Sequence, residues 1–219
     1  MKLFNFLKRG EESASPGRNS SSKREKPVEK KKVEQSSFSE AKDNKLVKLW
    51  KPRPIDVEKF FPRDEIIVSK TDTRGNITYG NQLFVQMAGY TEYEMLGQPH
   101  NIIRHPDMPQ LIFKALWDTI SQGKEINAFV INLSKDGRYY WVFANVTPSF
   151  DEDLNIVGYH SVRRKPNPKA IEIIVPFYKS LKKAEAIGGM HESMKELVKL
   201  LESQNMSYEK LVLHLQYGL

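Results

Sequence analysis

The sequence predicts an α+β domain, a five-stranded antiparallel sheet with helices on one face, followed by C-terminal amphipathic helices and preceded by a disordered basic tail. Three observations predict it. Short β-branched and aromatic runs bounded by Asp, Asn and Gly turns recur at residues 65–71, 77–79, 126–133, 139–147 and 156–162. Between the second and third runs the apolar spacing changes from alternation to a 3.6 period. The resulting order, β-β-α-α-α-β-β-β, joins neighbours by hairpins with one helical crossover, which groups the helices on one side.

Composition bounds the rest. At 219 residues the chain has room for one domain of ordinary size with extensions. It has no cysteine, which excludes disulfides, thiolate metal sites and thiol nucleophiles. No apolar run approaches the roughly 18 residues of a membrane span. Residues 1–9 are too short and too charged for a secretory signal. The expected location is cytoplasmic, peripheral at the inner membrane only through a partner. The net charge of +7 belongs to a tail: residues 1–49 hold 13 Lys/Arg against 7 Asp/Glu, leaving about +1 for the other 170 residues. That distribution argues against a nucleic-acid groove.

In chain order, residues 1–45 form the tail, rich in Ser, Lys and Glu and too poor in apolar residues to offset ordering entropy. Its first ten residues read as a frayed terminus or, less commonly for such a pattern, as an amphipathic foot making weak contact with an acidic membrane surface. Residues 46–63 form a lead-in arm or short helix, limited by Pro52 and Pro54. The domain proper is residues 64–165. There Asp72, Gly75 and Asn76 make the first hairpin turn, and Asn81 caps a helix over residues 81–88. Thr91 and Glu94 form a capping box. Residues 110–122 carry the longest helix of the domain, stopped by Gly123, and Asp136-Gly137 turns a second hairpin.

Beyond the domain, Asn167 caps a connecting helix over residues 166–187 with Pro168 at its first position and a kink at Pro176. Gly188-Gly189 then breaks the chain. Over residues 190–217, Met190, Met194, Leu197, Leu201, Gln204, Tyr208, Leu211 and Leu215 alternate by fours and threes, a heptad seam with one polar position. Such a seam pairs with itself in a homodimer, pairs with a transducer helix, or folds back on the domain.

The most concentrated chemistry lies in residues 98–109, QPHNIIRHPDMP. Pro99, Pro106 and Pro109 prevent a continuous helix, and between them stand Asn101, Arg104, His105 and Asp107. A bent segment that converges a cation, an imidazole and a carboxylate suits the wall of a ligand pocket. The competing reading is a surface turn whose side chains cap one another.

The phrases GYTEYEMLGQPHNIIRHPDMP, SKDGRYYWVFANVTP and IVGYHSVR resemble the PAS sensor domain of bacterial aerotaxis receptors, over residues 66–181. The RHPDMP block is the most specific part. The resemblance implies a PAS fold, FAD held non-covalently, and redox or energy sensing rather than enzymatic turnover. It implies flavin-associated roles for Asn81, Arg104, His105, Asp107, Phe113 and Asn132. Trp117 and Trp141 also match in type, whereas Ile126 stands where some relatives carry tryptophan. On chemical grounds Asn81 and Asn132 suit a pyrimidine edge, Arg104 a pyrophosphate, and Phe113 with Trp117 the walls of the ring. Phe113 and Trp117 also fit ordinary core. The implied partner is a chemoreceptor-type or HAMP-containing transducer reached by contact, because no output segment is recognisable in the sequence. Two other readings stay open: a ligand-free PAS interaction module, and a haem-binding gas sensor with His105 or His160 as axial ligand. No metal-ligand spacing surrounds His100, His191 or His214.

Overall fold

The computed structural model describes residues 51–218, so the expectations for the tail and for residues 46–50 of the arm lie outside the described residues. Five strands, β1 (Ile67–Thr71), β2 (Ile77–Gly80), β3 (Ile126–Leu133), β4 (Tyr139–Phe150) and β5 (Ile156–Arg164), form one antiparallel sheet in the order β2-β1-β5-β4-β3. β4 and β5 both run further than their composition indicates. They pair with each other from Phe143↔Arg164 to Phe150↔Ile156, and this ladder carries Pro148 and Ser149 into the strand.

Helices α1 (Gln82–Ala88), α2 (Glu92–Met95) and α3 (Gln110–Ile120) follow the first hairpin, with a 3-10 turn at His100–Ile103 between the last two. Asn81 does more than cap α1. Its Oδ1 accepts from the Phe84 and Val68 amides, both at 3.0 Å, and its Nδ2 donates to the Ile66 carbonyl at 2.7 Å. The start of the helix is thereby fastened to the start of β1. The capping box at Thr91 and Glu94 is present.

From α2 the chain crosses the sheet from edge to edge. At the β2 edge the Ile77 amide donates to the Gln98 carbonyl (2.8 Å) and the His100 amide to the Gly75 carbonyl (2.9 Å). At the β3 edge Arg104 pairs with Asn132. Residues 97–104 therefore span the face that the helices cover.

Successive strand residues point to opposite faces. Ala128, Val130, Asn132, Ala144 and Val146 look toward α1–α3, whereas Phe129, Ile131, Trp141 and Phe143 look the other way. That second face is not open to solvent, because the C-terminal helices cover it. In α4 (Pro168–Ser203) the Tyr178 hydroxyl donates to the Phe129 carbonyl at 2.7 Å, and its ring lies 6.0 Å from that of Trp141. Tyr217 of α5 (Tyr208–Tyr217) meets Phe143 edge-on at 5.7 Å.

The glycine break has the expected position. α4 is interrupted at Gly188 (φ −143°) and Gly189 (φ 65°), the latter in a region that only glycine adopts freely. The continuous helix expected over residues 190–217 is corrected to two helices. Asn205 takes a left-handed φ of 48°, and Ser207 caps α5 through the Lys210 amide at 3.3 Å. Leu197, Leu201, Tyr208 and Leu211 of the seam are buried within the chain's own core. Of the three seam partners, the domain itself takes these positions.

The arm lies extended along the domain. β5 ends opposite Phe143, leaving the first residues of β4 without a neighbour on that side. The arm supplies one: Ile55 N donates to Gly137 O, Tyr139 N to Val57 O and Lys59 N to Tyr139 O, at 2.7–3.1 Å. The Lys59 ammonium donates to the Gln86 and Met87 carbonyls at the end of α1, at 3.0 and 2.9 Å, where a cation is favourable.

Replacing Asn81 removes three side-chain hydrogen bonds at one junction. Asn81→Ala is expected to lower unfolding free energy by about 1–3 kcal/mol in urea denaturation. Retained stability would show that the junction is held by packing alone.

Candidate functional site

A cavity of about 570 Å³ lies between the helix-covered face of the sheet and the crossing segment. That volume falls within the roughly 300–1,000 Å³ of small-molecule and cofactor sites. Its floor is Val130, Asn132, Ala144, Val146, Tyr159, Ser161 and Arg163; its walls are His100, Asn101 and Arg104 from the crossing segment and Phe113, Leu116 and Trp117 from α3. Met190, just past the glycine break in α4, completes the rim.

Arg163 dominates the deep end. It is 4% exposed, and one Nη donates to Ser69 Oγ at 2.9 Å and to His100 Nε2 at 2.8 Å. Its guanidinium carbon sits 5.3 Å from the Phe84 ring centroid. Burial lowers its pKa to about 10, with Tyr140 opposing the shift. Accepting from Arg163 requires His100 Nε2 to be unprotonated. Burial first, and the Arg163 charge second, lower the His100 pKa to about 3, so the ring is neutral at physiological pH. Part of the His100 surface is open, and that part faces the cavity, which does not relieve the cost of charging it so close to a guanidinium.

Three buried polar atoms on the floor and deep wall have no partner: Asn132 Nδ2, Ser161 Oγ and Arg163 Nη1. An unsatisfied buried donor costs about 1–3 kcal/mol, and groups of this kind on residues that line one cavity can take acceptors from a ligand. The charge pattern points the same way. Among the described residues the lining contains Arg74, Arg104, Lys114 and Arg163 and no Asp or Glu, and of these four only Lys114 is ion-paired, with Asp118. The middle of the cavity is apolar, with the Arg104 guanidinium 4.0 Å above the Phe113 ring and Trp117 edge-on to Tyr159 at 5.4 Å. Trp117 lies so close over the first hairpin that a Cβ at Gly75 (φ 84°) would come within 3.0 Å of it. Chemically the site suits a flat ring with acceptor groups on one edge and negative charge elsewhere.

Of the site residues expected from sequence, Arg104, Phe113, Trp117 and Asn132 come together around this cavity. Asn81, His105 and Asp107 do not line it. Asn81 is committed to the β1–α1 junction. His105 is 4% exposed but turns behind the crossing segment, 6.0 Å from Tyr139, and its Nδ1 accepts from the Asp107 amide at 3.2 Å. The Asp107 side chain is 80% exposed. The reason is local: adjacent residues of an extended bend point to opposite sides, so when Arg104 faces inward His105 cannot. His160 is excluded by the same alternation, since Tyr159, Ser161 and Arg163 face the cavity. Trp141 packs on the opposite face of the sheet. Arg163, Ser161, His100 and Ser69 were not singled out by sequence. The available signal was the alternate spacing of Tyr159, Ser161 and Arg163 on one strand.

The lowered His100 pKa has a consequence for stability. A histidine whose folded pKa lies below its unfolded 6.5 contributes stability that is present above pH 6.5 and lost as pH falls toward 3, at up to about 1.4 kcal/mol per unit. His105 and His160 shift in the same direction, each chiefly by burial. His100→Gln keeps a hydrogen-bond acceptor and cannot titrate. Its urea midpoint is expected to fall less than that of the parent between pH 6.5 and 4.5, and parallel pH profiles would contradict the assignment.

Residues 77–163 match the family model described as PAS fold. Over 131 residues the chain is 39% identical to the aerotaxis receptor of Escherichia coli, covering 60% of this chain and 26% of that protein. It is 29% identical over 94 residues to the biofilm dispersion protein BdlA of Pseudomonas aeruginosa, covering 41% of this chain and 22% of that one. Among solved structures, the light state of the Aureochrome1 LOV photoreceptor aligns with 50% of this chain and 88% of its own at 22% identity, with a TM-score of 0.46. The chain spans about a quarter of the length of these curated relatives. Among the described residues no helix is long and apolar enough to cross a membrane, and no group of three or more His, Cys, Asp or Glu could hold a metal ion. The sheet with its three inner helices has the PAS fold that residues 77–163 match, and this part of the chain is similar to the aerotaxis receptor.

Proposed function

We propose that this chain is a redox or energy sensor that binds FAD non-covalently in the cavity and signals by contact with a transducer protein. The observation that carries the reading is the set of partnerless buried atoms, Asn132 Nδ2, Ser161 Oγ and Arg163 Nη1, on residues that line a cavity with no acid in its lining. The resemblance to aerotaxis receptors supports the flavin over other flat, acceptor-rich ligands. A bound flavin supplies a reversibly reducible ring whose pyrimidine edge is rich in acceptors.

In this reading Asn132, Ser161 and Arg163 donate to the pyrimidine edge. Phe113 and Trp117 wall the ring, and Arg104 takes negative charge from the phosphates. Neutral His100 leaves Arg163 fully cationic, so the guanidinium responds to any change of charge at that edge. Asn81, His105 and Asp107 act through the fold, by holding α1 to β1 and by fixing the bend that turns Arg104 inward. The haem reading lacks a ligand at the right place: His105 and His160 face elsewhere, and His100 Nε2 is occupied by Arg163. For the output we propose contact of the domain with a chemoreceptor-type or HAMP-containing partner, without turnover of a substrate.

The purified chain of residues 1–219, reconstituted with FAD if colourless, is expected to show the visible absorption of an oxidised flavin and to bleach on reduction. Asn132→Ala is expected to weaken FAD binding about tenfold, the loss of roughly one well-placed hydrogen bond from a buried amide. Absence of flavin absorbance after reconstitution, or unchanged FAD affinity in Asn132→Ala, would sink the reading.

A further inference from the structure

The deep end of the cavity holds a positive charge that no described residue offsets. Around Arg163 stand Ser69 of β1, Phe84 of α1 and His100 of the crossing segment, and Ala144 of β4 lies opposite it in the sheet. None of these is an anion. One Nη of Arg163 is used twice, on Ser69 and on His100, whereas Nη1 is buried with no partner. Ser161 lies two residues earlier on the same face of β5, and its hydroxyl is likewise buried without a partner. Tyr140, whose ionised form would oppose the charge, keeps its proton because burial raises its pKa. A cation enclosed in this way is costly unless a negative group reaches it. The oxidised flavin ring is neutral and offers it dipoles only.

We propose that the deep end of the cavity is a carboxylate site, taking an organic acid with a flat apolar body. One carboxylate oxygen accepts from Arg163 Nη1 and the other from the Ser161 hydroxyl, both in a setting where a charge-assisted hydrogen bond is strong. The body of the acid lies along Leu116, Val130, Ala144 and Val146, which make the middle of the cavity apolar. The class of ligand follows from these two halves together. Sulfate or phosphate answers the guanidinium and leaves the apolar middle unfilled. A neutral ring fills the middle and leaves the charge. The site goes beyond the flavin reading and does not depend on it. Acid and flavin need the same space, so an acid of this class antagonises flavin loading.

Benzoate and benzamide, alike in shape and different in charge, are the probes. The protein is the chain of residues 1–219, freed of any bound flavin and held at constant ionic strength. In isothermal titration calorimetry benzoate is expected to bind at least about tenfold more tightly than benzamide, the effect of one charge-assisted hydrogen bond. At ten times its Kd it is expected to raise the thermal midpoint by about 3–6 °C. Arg163→Met is expected to weaken benzoate by about ten- to hundredfold and to leave benzamide within about threefold. Ser161→Ala, a milder change, is expected to weaken benzoate severalfold and decides the matter if Arg163→Met does not fold. Equal affinity for the two probes, binding of neither, or benzoate affinity unchanged in either folded variant overturns the proposal. Sulfate binding as tightly as benzoate does the same, reducing the site to an adventitious ion only. Where FAD binds, its apparent Kd is expected to rise in proportion to benzoate concentration. FAD affinity unmoved by saturating benzoate refutes the carboxylate site while the flavin reading stands. If FAD does not bind at all, the flavin reading falls and the comparison of benzoate with benzamide still judges the site.

Discussion

Both open edges of the sheet are answered by one short stretch of chain. β2 and β3 lie at opposite ends of the strand order, and residues 97–104 hydrogen-bond to each. An unpaired edge is a liability, and here one crossing segment blunts two. Its length is set by the width of the sheet, so it runs across the face at a fixed height. The helices that follow cannot settle onto the strands completely, and the space left over is the cavity. Pro99 and Pro106 flank its one helical part, the 3-10 turn at His100–Ile103.

The second constraint is a cation in the interior. Arg163 is surrounded by a hydroxyl, a neutral imidazole and an aromatic ring, with no carboxylate among the residues that line its cavity. Breaking a buried pair leaves a charge of this kind, at considerable cost; this fold retains one by design of its neighbours. The sheet keeps that expense on one side. Its other face is aromatic, with Trp141 and Phe143 against Tyr178 and Tyr217. β3 carries both environments, Asn132 toward the cavity and Phe129 toward α4. A shift of this strand is therefore felt on both faces at once.

Much of the fold was legible because it is written in local chemistry. Turns at Asp72–Asn76 and Asp136-Gly137, the caps at Asn81 and Thr91, and the glycine break at 188–189 each depend on a few adjacent residues. The site was legible only in part, because facing is a tertiary property. Arg104 and His105 are neighbours in a bend, and composition does not say which turns inward. On β5 both alternations contain apolar and polar residues, so the pattern does not separate His160 from Ser161 and Arg163. In the C-terminal seam the heptad pattern outweighed a weaker signal, Asn205 followed by Ser207, which ends one helix and caps the next. The seam's apolar residues satisfy a heptad and a fold-back equally well, and only the position of the domain decides between them.

The pairing of the arm with β4 bears on what counts as the transferable unit. The family match opens at Ile77, after β1, yet β1 lies inside the sheet between β2 and β5. A piece excised at those limits would have a gap where a central strand belongs, and without residues 55–59 the first rungs of β4 would face water. Recombination that moved this domain intact between proteins would have to carry its leading arm and trailing helices with it, so the module that evolution can shuffle is wider than the motif by which it is recognised.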